Sequence, residues 1–171
     1  VRENTQVRFA NISLKVSDEF MLAVEEQNKY GQDKILVYLK DKGVSGLGIM
    51  HGGAVHYSYG IPSKPIESYR LLRSFNDINE LNSFLAGRGA SQLTERDFAD
   101  VTKRDMFGDI VIHDNTSEFD LAVKQAGDFM LYYNSRETNE IKRLVKARAI
   151  WNAFIEGNYR TAEPGIIFWS T

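Results

Sequence analysis

The sequence contains no cysteine among its 171 residues. This absence excludes disulfide bonds, thiolate metal sites and a cysteine nucleophile from the chain, and it is compatible with a cytoplasmic location. No charge of one sign dominates, because 21 Lys and Arg stand against 23 Asp and Glu, for a net charge of -2. We therefore expect no attraction to nucleic acid or to an anionic membrane surface.

Long hydrophobic runs are also missing. The longest apolar stretches, such as KILVYL and GIIFW, are far shorter than the roughly 20 residues that a membrane-spanning helix needs. The chain starts at Val1 without a signal pattern and stops soon after an apolar run that is typical of a buried strand. We therefore expect a soluble, cytoplasmic chain of one domain's size, cut at both ends from a longer protein.

The first regular segment is VRFANISLKV, residues 7–16, which predicts a β-strand of period two. Small, apolar and uncharged polar residues occupy both of its faces, as in a strand that is covered on both sides. Asn11 is therefore expected to be buried. A helix follows in SDEFMLAVEEQNKYG, with Ser17 as its N-cap and Gly31 at its end.

The end of the chain contains the same elements in the opposite order. VKARAIWNAFIEGNY, residues 145–159, carries a wide apolar stripe and predicts a helix. Glu163, Pro164 and Gly165 belong to the predicted turn, and IIFW, residues 166–169, predicts a strand of the kind buried in parallel sheets. A strand–helix unit at one end and a helix–strand unit at the other indicate an α/β fold.

The middle of the chain has a less regular pattern. DKILVYLKDKG, residues 33–43, is compatible with a helix or a strand, and we favour a helix because Asp33 can cap it and Gly43 can end it. The remaining predictions are short helices in IESYRLL, DINELNSFLAGRG and LTERDFADVTKR, a strand in GDIVIHD, and a hairpin in DFMLYYNSRETNEIKRLVK.

Two stretches suggest a ligand but have simpler structural explanations. GVSGLG, residues 43–48, could cradle an anion with its backbone amides, yet it lacks the Lys-Ser/Thr ending of a phosphate loop, so we predict a flexible loop. A group of aromatic and basic residues could form a nucleic-acid platform, but the net charge favours core and interface packing. This group consists of Tyr57, Tyr59, Tyr69, Arg70 and Arg73.

The three histidines match no metal-ligand spacing. His51 and His56 lie on a glycine-rich loop, and His113 has several aspartates near it in sequence. Those aspartates are Asp105, Asp109 and Asp114. Since neither group has the spacing of a known ligand set, we predict no metal site, and no catalytic constellation stands out from the residues alone.

Two stretches together resemble the catalytic subunit of ribonucleotide reductases. FANISLKVSDEFMLAVEE, residues 9–26, is similar to a strand and helix of that family, with the pattern Asn, apolar, Ser/Thr, apolar, basic, Val, then Asp-Glu-Phe-Met. Residues 145–171 resemble the family's helix beginning Val-Lys-Ala-Arg, its Glu-Pro-Gly turn and the next strand. AEPGIIFW is most similar to the adenosylcobalamin-dependent, class II enzymes. The two stretches cover about 45 of the 171 residues.

The resemblance implies that the chain is an internal part of a ten-stranded α/β barrel, with a long, mainly helical insertion plus a β-hairpin. Residues 1–31 would be a barrel strand and helix, and residues 32–127 an insertion of mixed α/β structure. Residues 128–171 would be the hairpin and the barrel helix and strand that lead to the finger loop. Asn11 becomes a candidate for the barrel interior, and Glu163, Pro164 and Gly165 form the turn before the barrel strand.

The family's chemistry is implied to lie outside this chain. Its radical-forming cysteine belongs to an Asn-x-Cys-x-Glu motif that follows the strand matched here by residues 166–169, so all catalytic residues are expected after Thr171. In the complete enzyme, adenosylcobalamin generates a thiyl radical that takes hydrogen from C3' of a ribonucleotide. The 2'-hydroxyl then leaves as water and a cysteine pair supplies the electrons. The implied partners are the ribonucleotide substrate, deoxynucleotide effectors, the rest of the barrel and a second copy in a homodimer.

Alternative functions stay open at this point. The chain could belong to a class I catalytic subunit, which works with a separate metal-bearing radical subunit. It could instead be an independent α/β module whose Gly-rich loop and short helices bind a ligand. Two adjacent strands with open outer edges would favour the reductase fragment, whereas one closed sheet would favour the module. The insertion could serve assembly or nucleotide access, with Tyr57 and Tyr59 as the residues to test.

Overall fold

The computed structural model describes residues 13–42, 49–51, 54–56, 69–115, 117–135, 137, 139–161 and 164–169. Within these ranges the chain forms both helices and strands, which confirms the α/β class. The strands are β1 Ser13–Ser17, β2 Ile35–Asp41, β3 Ile49–His51, β4 Ala54–His56, β5 Tyr69–Phe75, β6 Ile110–Ile112, β7 Phe119–Gln125, β8 Asp128–Ser135, β9 Asn139–Lys146 and β10 Gly165–Trp169. The α-helices are α1 Asp18–Tyr30, α2 Ile78–Gly87, α3 Glu95–Ala99 and α4 Ala147–Thr161, and a 3₁₀ turn spans Val101–Lys103.

The two ends of the described chain meet in a parallel pair of strands. β1 pairs with β10 in register from Ser13 opposite Gly165 to Ser17 opposite Trp169. α1 directly follows β1, and α4 precedes β10, as the sequence predicts for both ends. Of the predicted first strand, residues 7–12 lie outside the described residues. We call β1, β10, α1 and α4 the terminal layer.

A four-stranded sheet forms the second layer, with strand order β5-β2-β7-β6 and all neighbours antiparallel. The helix predicted for residues 33–43 is wrong, because Ile35–Asp41 form the strand β2 in this sheet. Four consecutive residues of β2, from Ile35 to Tyr38, are buried. A strand between two neighbours and covered on both faces buries every residue, so a continuous apolar run fits β2 without any alternation.

Two further strands of this sheet differ from the sequence prediction. The helix predicted in IESYRLL is wrong, because Tyr69–Phe75 form the edge strand β5. Phe119–Gln125 form β7, which the sequence analysis does not predict at all. Residues 32–127 contain six strands but only two α-helices among the described residues, so the expectation of a mainly helical insertion is also wrong. Pairing with β2 stabilises the extended conformation of both segments, and such long-range pairing cannot be detected from the local sequence pattern.

The helical side of the sheet follows the predictions more closely. Asp77 caps α2 by accepting hydrogen bonds from the amides of Asn79 and Glu80, at 2.8 and 2.9 Å. Leu81 and Leu85 of α2 are fully buried against the sheet. The helix predicted in residues 93–104 is divided at Asp100 into α3 and the 3₁₀ turn, because the Asp100 side chain accepts from the amide of Thr102 at 2.9 Å.

The core beneath this helical side joins the sheet to α2 and α3. Its buried members are Ile35, Val37, Phe75, Leu81, Leu85, Leu93, Phe98, Ile110, Ile112, Leu121 and Val123. The predicted strand in GDIVIHD is confirmed as β6. We call β2, β5, β6, β7, α2 and α3 the closed layer, because helices cover one face of its sheet and α1 contributes to the other.

The predicted hairpin is confirmed as β8 and β9, which pair from Asp128 opposite Lys146 to Ser135 opposite Asn139. β3 and β4 form a second, shorter hairpin. The largest sheet among the described residues has four strands, so the ten-stranded barrel stays a prediction, as do the boundaries at residues 31/32 and 127/128. No helix in the described ranges is long and apolar enough to cross a membrane.

Candidate functional site

The terminal layer is covered on one face only. Val16 is buried in a cluster with Phe20, Ala23 and Val24 of α1 and with Ala147 of α4, and Ile166 packs against the same cluster. Alternate residues of a strand point to opposite faces, so Ser13, Lys15 and Ile167 lie on the face away from the helices. The side chain of Ile167 is 42% exposed. This uncovered face is the part of the layer that can meet another molecule or another part of the protein.

In the described part of the chain, both outer edges of the same strand pair are open. Among the described residues, β1 and β10 pair only with each other. A two-stranded sheet is marginally stable in water, and parallel strands are normally found in larger sheets that are covered on both faces. The edges therefore offer unpaired backbone groups to further strands.

The carboxyl ends of the two strands lie side by side. Ser17 pairs with Trp169, and α1 begins immediately after Ser17. In open parallel α/β sheets this end of the strands is where ligands bind. Asp18 and Glu19 occupy the first turn of α1, where their negative charges complement the helix dipole and oppose an anionic ligand at that position.

The turn before β10 is tied to α4. Asn158 donates a hydrogen bond from its side chain to the carbonyl oxygen of Pro164 at 2.8 Å. Pro164 and Gly165 lie where the sequence predicts the turn, whereas Glu163 lies outside the described residues. Asn158 is a site residue that the sequence analysis missed. An amide side chain in the last turn of a predicted helix is the signal that could have identified it.

His113 is the one histidine whose side chain belongs to the described residues, and it lies beside an aspartate of β7. His113 has a side chain that is 78% exposed and lies 3.1 Å from Asp120, measured from Nδ1 to Oδ2. The backbones of His51 and His56 belong to the β3–β4 hairpin, and their side chains lie outside the described residues. No group of three or more His, Cys, Asp or Glu within the described ranges could hold a metal ion.

The aspartates near His113 have structural contacts instead. Asp105 accepts hydrogen bonds from the amides of Phe107 and Asp109, both at 2.9 Å, and lies 3.8 Å from Lys40. Asp114 lies 3.6 Å from Arg88. The hydrogen bonds of Asp105 and the ion pair of Asp114 hold the loops before and after β6, so both aspartates stabilise the fold.

Of the described members of the aromatic and basic group, Tyr69 packs in the core as predicted, whereas Arg70 and Arg73 are exposed. Tyr69 is buried, and the rings of Phe119 and Phe75 lie under Arg70 and Arg73 at 4.5 and 5.2 Å. Burial raises the pKa of Tyr69 far above its usual value, and the nearby carboxylates of Asp109 and Asp105 raise it further. Tyr57, Tyr59 and the GVSGLG stretch lie outside the described residues, as does Asn11.

A buried polar contact links the terminal layer to the closed layer. Glu26 of α1 forms an ion pair with Lys124 of β7 at 2.8 Å and accepts a hydrogen bond from the Tyr38 hydroxyl at 2.6 Å. Burial raises the pKa of Tyr38 far above its usual value, and the adjacent Glu26 carboxylate adds to the rise. The sequence analysis missed this contact, since Glu26 looks like any solvent-facing helix residue.

No protein-family model, no curated protein and no solved structure matches the chain. The class that the fold defines is an α/β protein that combines an open parallel strand pair with a closed antiparallel sheet.

Proposed function

We propose that the chain is part of the catalytic subunit of a ribonucleotide reductase, most similar to the adenosylcobalamin-dependent class II enzymes. The intact cytoplasmic enzyme would reduce ribonucleotides to 2'-deoxyribonucleotides by thiyl-radical chemistry. Within it, this chain would supply barrel scaffold, and the cysteines that carry the reaction would follow Thr171. By itself the chain would be inactive.

The observation that carries this proposal is the parallel pairing of β1 with β10. These strands belong to the two stretches that resemble the reductases, although the insertion and the hairpin separate them in sequence. In an α/β barrel, parallel strands lie side by side with their helices outside. Two observations agree with that arrangement: Val16 and Ile166 face the helices, and Ile167 is exposed on the opposite face.

The open face would then line the barrel interior. Ser13 and Lys15 are exposed on this face, and the period of a strand assigns Asn11 to the same side if β1 extends towards it. At the carboxyl end, the finger loop would leave β10 next to Ser17 and the start of α1. The link from Asn158 to Pro164 would fix how β10 enters the barrel.

Adenosylcobalamin would supply the radical-generating chemistry when bound to the intact enzyme. The described residues form no group of metal ligands, and the chain contains no cysteine, so we assign none of its residues to that cofactor. Ribonucleotide substrates and deoxynucleotide effectors would likewise bind mainly to parts of the enzyme that complete the barrel. A homodimer is the assembly that this proposal implies.

The first test is to sequence the gene beyond the codon for Thr171. We expect an Asn-x-Cys-x-Glu motif shortly after it, and its absence would end the proposal. The second test assays the intact protein for ribonucleotide reduction with and without added adenosylcobalamin. Activity that needs the cofactor supports class II, whereas activity that needs a separate metal-bearing subunit supports class I. Replacing the motif's cysteine with alanine should abolish either activity.

A second candidate, an independent ligand-binding module, is favoured by the packing of the closed layer, whose sheet is buried on both faces at β2. Calorimetric titration of this chain with ribonucleotides and deoxynucleotides separates the two candidates. We expect no saturable binding to the chain alone. Micromolar binding by the chain, with no reductase motif in the gene, would favour the module.

A further inference from the structure

Residues 126–128 connect β7 to β8, whose first residue is Asp128, and make contacts with several other parts of the protein; we call them the junction segment. The amide of Ala126 donates to the carbonyl of Lys34 at 2.8 Å, and the amide of Gly127 donates to the carboxylate of Glu26 at 3.1 Å. The carbonyl of Gly127 accepts from the amide of Ala147 at 2.9 Å. One short turn therefore holds the start of β2, helix α1 and the first residue of α4.

The side chain of Asp128, in the junction segment, contacts two cationic side chains from other parts of the chain. One carboxylate oxygen lies 2.8 Å from Nη1 of Arg104, and the other lies 2.8 Å from Nζ of Lys146. The side chains of Asp128 and Arg104 are 2% and 0% exposed, whereas that of Lys146 is 28% exposed. Because the Asp128 carboxylate is buried, removing either cation would leave its charge partly uncompensated, so the positions of the two cations are linked through it.

Arg104 extends this connection into the closed layer. Its guanidinium donates to the carbonyl of Phe98 at the end of α3, with the shorter bond 2.7 Å long, and to the carbonyl of Gly108 at 2.8 Å. Lys142 of β9 donates to the carbonyl of Arg104 itself at 3.1 Å. The planar fork of an arginine fixes the directions of several bonds at once, so the loop after α3 cannot shift without moving Asp128.

Lys146 completes the connection on the other side. It is the last residue of β9 and immediately precedes α4. Besides Asp128, its ammonium group donates to the carbonyl of Ala126 at 3.0 Å. Lys146 and the amide of Ala147 therefore both fix the first turn of α4 to the junction segment.

We propose that Arg104, Asp128 and Lys146 form a coupling device that makes the end of α3, with the loop after it, and the start of α4 move as one unit. By linkage, a ligand or partner that displaces residues 98–109 would shift α4, and a shift of α4 would change the affinity for that ligand. This inference stands on the contacts alone and does not depend on the reductase proposal.

The test uses amide hydrogen exchange on the full chain. Arg104→Lys keeps the charge but loses the planar fork, so we expect about tenfold faster exchange at the amide of Ala147 and in the first turn of α4. Arg96→Lys is the matched control, because Arg96 lies on α3 with an exposed side chain. The control should leave α4 unchanged. Faster exchange in residues 98–109 with unchanged α4 would overturn the proposal.

The reciprocal variant excludes general destabilisation as the cause. Lys146→Met removes a half-buried charge outside the closed layer, and we expect about tenfold faster exchange at residues 105–109, with no change in α2. Equal acceleration in α2 would mean global opening and would contradict coupling. In the double variant Arg104→Lys/Lys146→Met, the amide of Ala147 should exchange little faster than in Arg104→Lys alone. If the two accelerations multiply instead, the residues act independently and the coupling proposal is refuted. If Arg104→Lys fails to fold, the Lys146→Met readout decides the question.

Discussion

The closed layer and the terminal layer are built from similar strands and helices but differ in how completely they are buried. In the closed layer, β2 lies between two neighbours and its residues from Ile35 to Tyr38 are buried on both faces. In the terminal layer, Ile167 of β10 is 42% exposed on the face away from the helices. Parallel strands are normally covered on both faces, so among the described residues the terminal layer lacks the cover that the closed layer has.

Leu81→Ala should have the largest effect, because it empties a fully buried position between α2 and the sheet of the closed layer. Deleting a core leucine side chain costs about 2–5 kcal/mol through lost apolar transfer and the cavity that remains. Urea denaturation followed by circular dichroism measures the loss. Leu72→Ala on β5 is the control, since Leu72 is 36% exposed and its loss should cost under about 1 kcal/mol. Equal costs at the two positions would contradict a closed core.

Gly127→Ala should have the second largest effect on stability, because it strains the junction segment that joins the two layers. Gly127 has φ +80°, and a Cβ there would lie 2.8 Å from Oε1 and 2.9 Å from Cβ of Gln27. A left-handed conformation costs an alanine about 1–2 kcal/mol, and the crowding adds about 1–3 kcal/mol.

Gly89→Ala separates these two contributions. Gly89 has φ +67°, but no atom lies within 4 Å of a Cβ there, so only the backbone cost applies. The difference between the two unfolding free energies therefore measures the contact with Gln27. Adding Gln27→Ala to Gly127→Ala should recover part of the loss. Equal losses at Gly127 and Gly89 would show that the junction is not tightly packed.

The sequence predicts the elements whose signals are local. Ser17 and Asp77 mark helix starts, and the alternating arms around residues 134–139 mark the β8–β9 hairpin. β2 was mistaken for a helix because a strand buried on both faces has no period-two alternation to detect. β5 and β7 obtain their conformation from pairing with β2, which is a tertiary effect.

The candidate site was only partly predictable for a similar reason. Period two assigns Lys15 and Ile167 to the uncovered face once β1 and β10 are paired, but the pairing itself joins the two ends of the described chain. The contacts around the junction segment could not be predicted from the sequence. Glu26, Arg104 and Asp128 have ordinary surface-like surroundings in sequence, and their burial depends on which elements pack together.

A smaller effect is expected from acid, and it should weaken the closed layer. Hydrogen bonding from Lys103 lowers the pKa of Asp97 from 3.8 to about 2, with Thr94 adding to the effect. Because this pKa is lowered by folding, its stabilising contribution is present above 3.8 and is lost as the pH falls towards about 2. The wild-type chain should therefore lose its stability advantage over Asp97→Asn across that window, as measured by urea unfolding at successive pH values. A difference that stays constant with pH would contradict this account of the α3 capping box.

The smallest effect is expected at Ile167, and a neighbouring residue gives the sharpest comparison. Ile166 packs on the helix-facing cluster, whereas Ile167 lies on the uncovered face with 42% of its surface exposed. Threonine keeps the β-branched shape of isoleucine at both positions, so strand propensity changes little and burial dominates the difference. In this chain we expect Ile167→Thr to change the free energy of unfolding by under about 0.5 kcal/mol and Ile166→Thr to cost about 1–2 kcal/mol. Under the reductase proposal the uncovered face lies inside a barrel in the intact protein, so the cost of Ile167→Thr should rise there to match that of Ile166→Thr. A cost at Ile167 that is equally small in both proteins would mean that the face stays exposed, and it would remove the main support for the barrel.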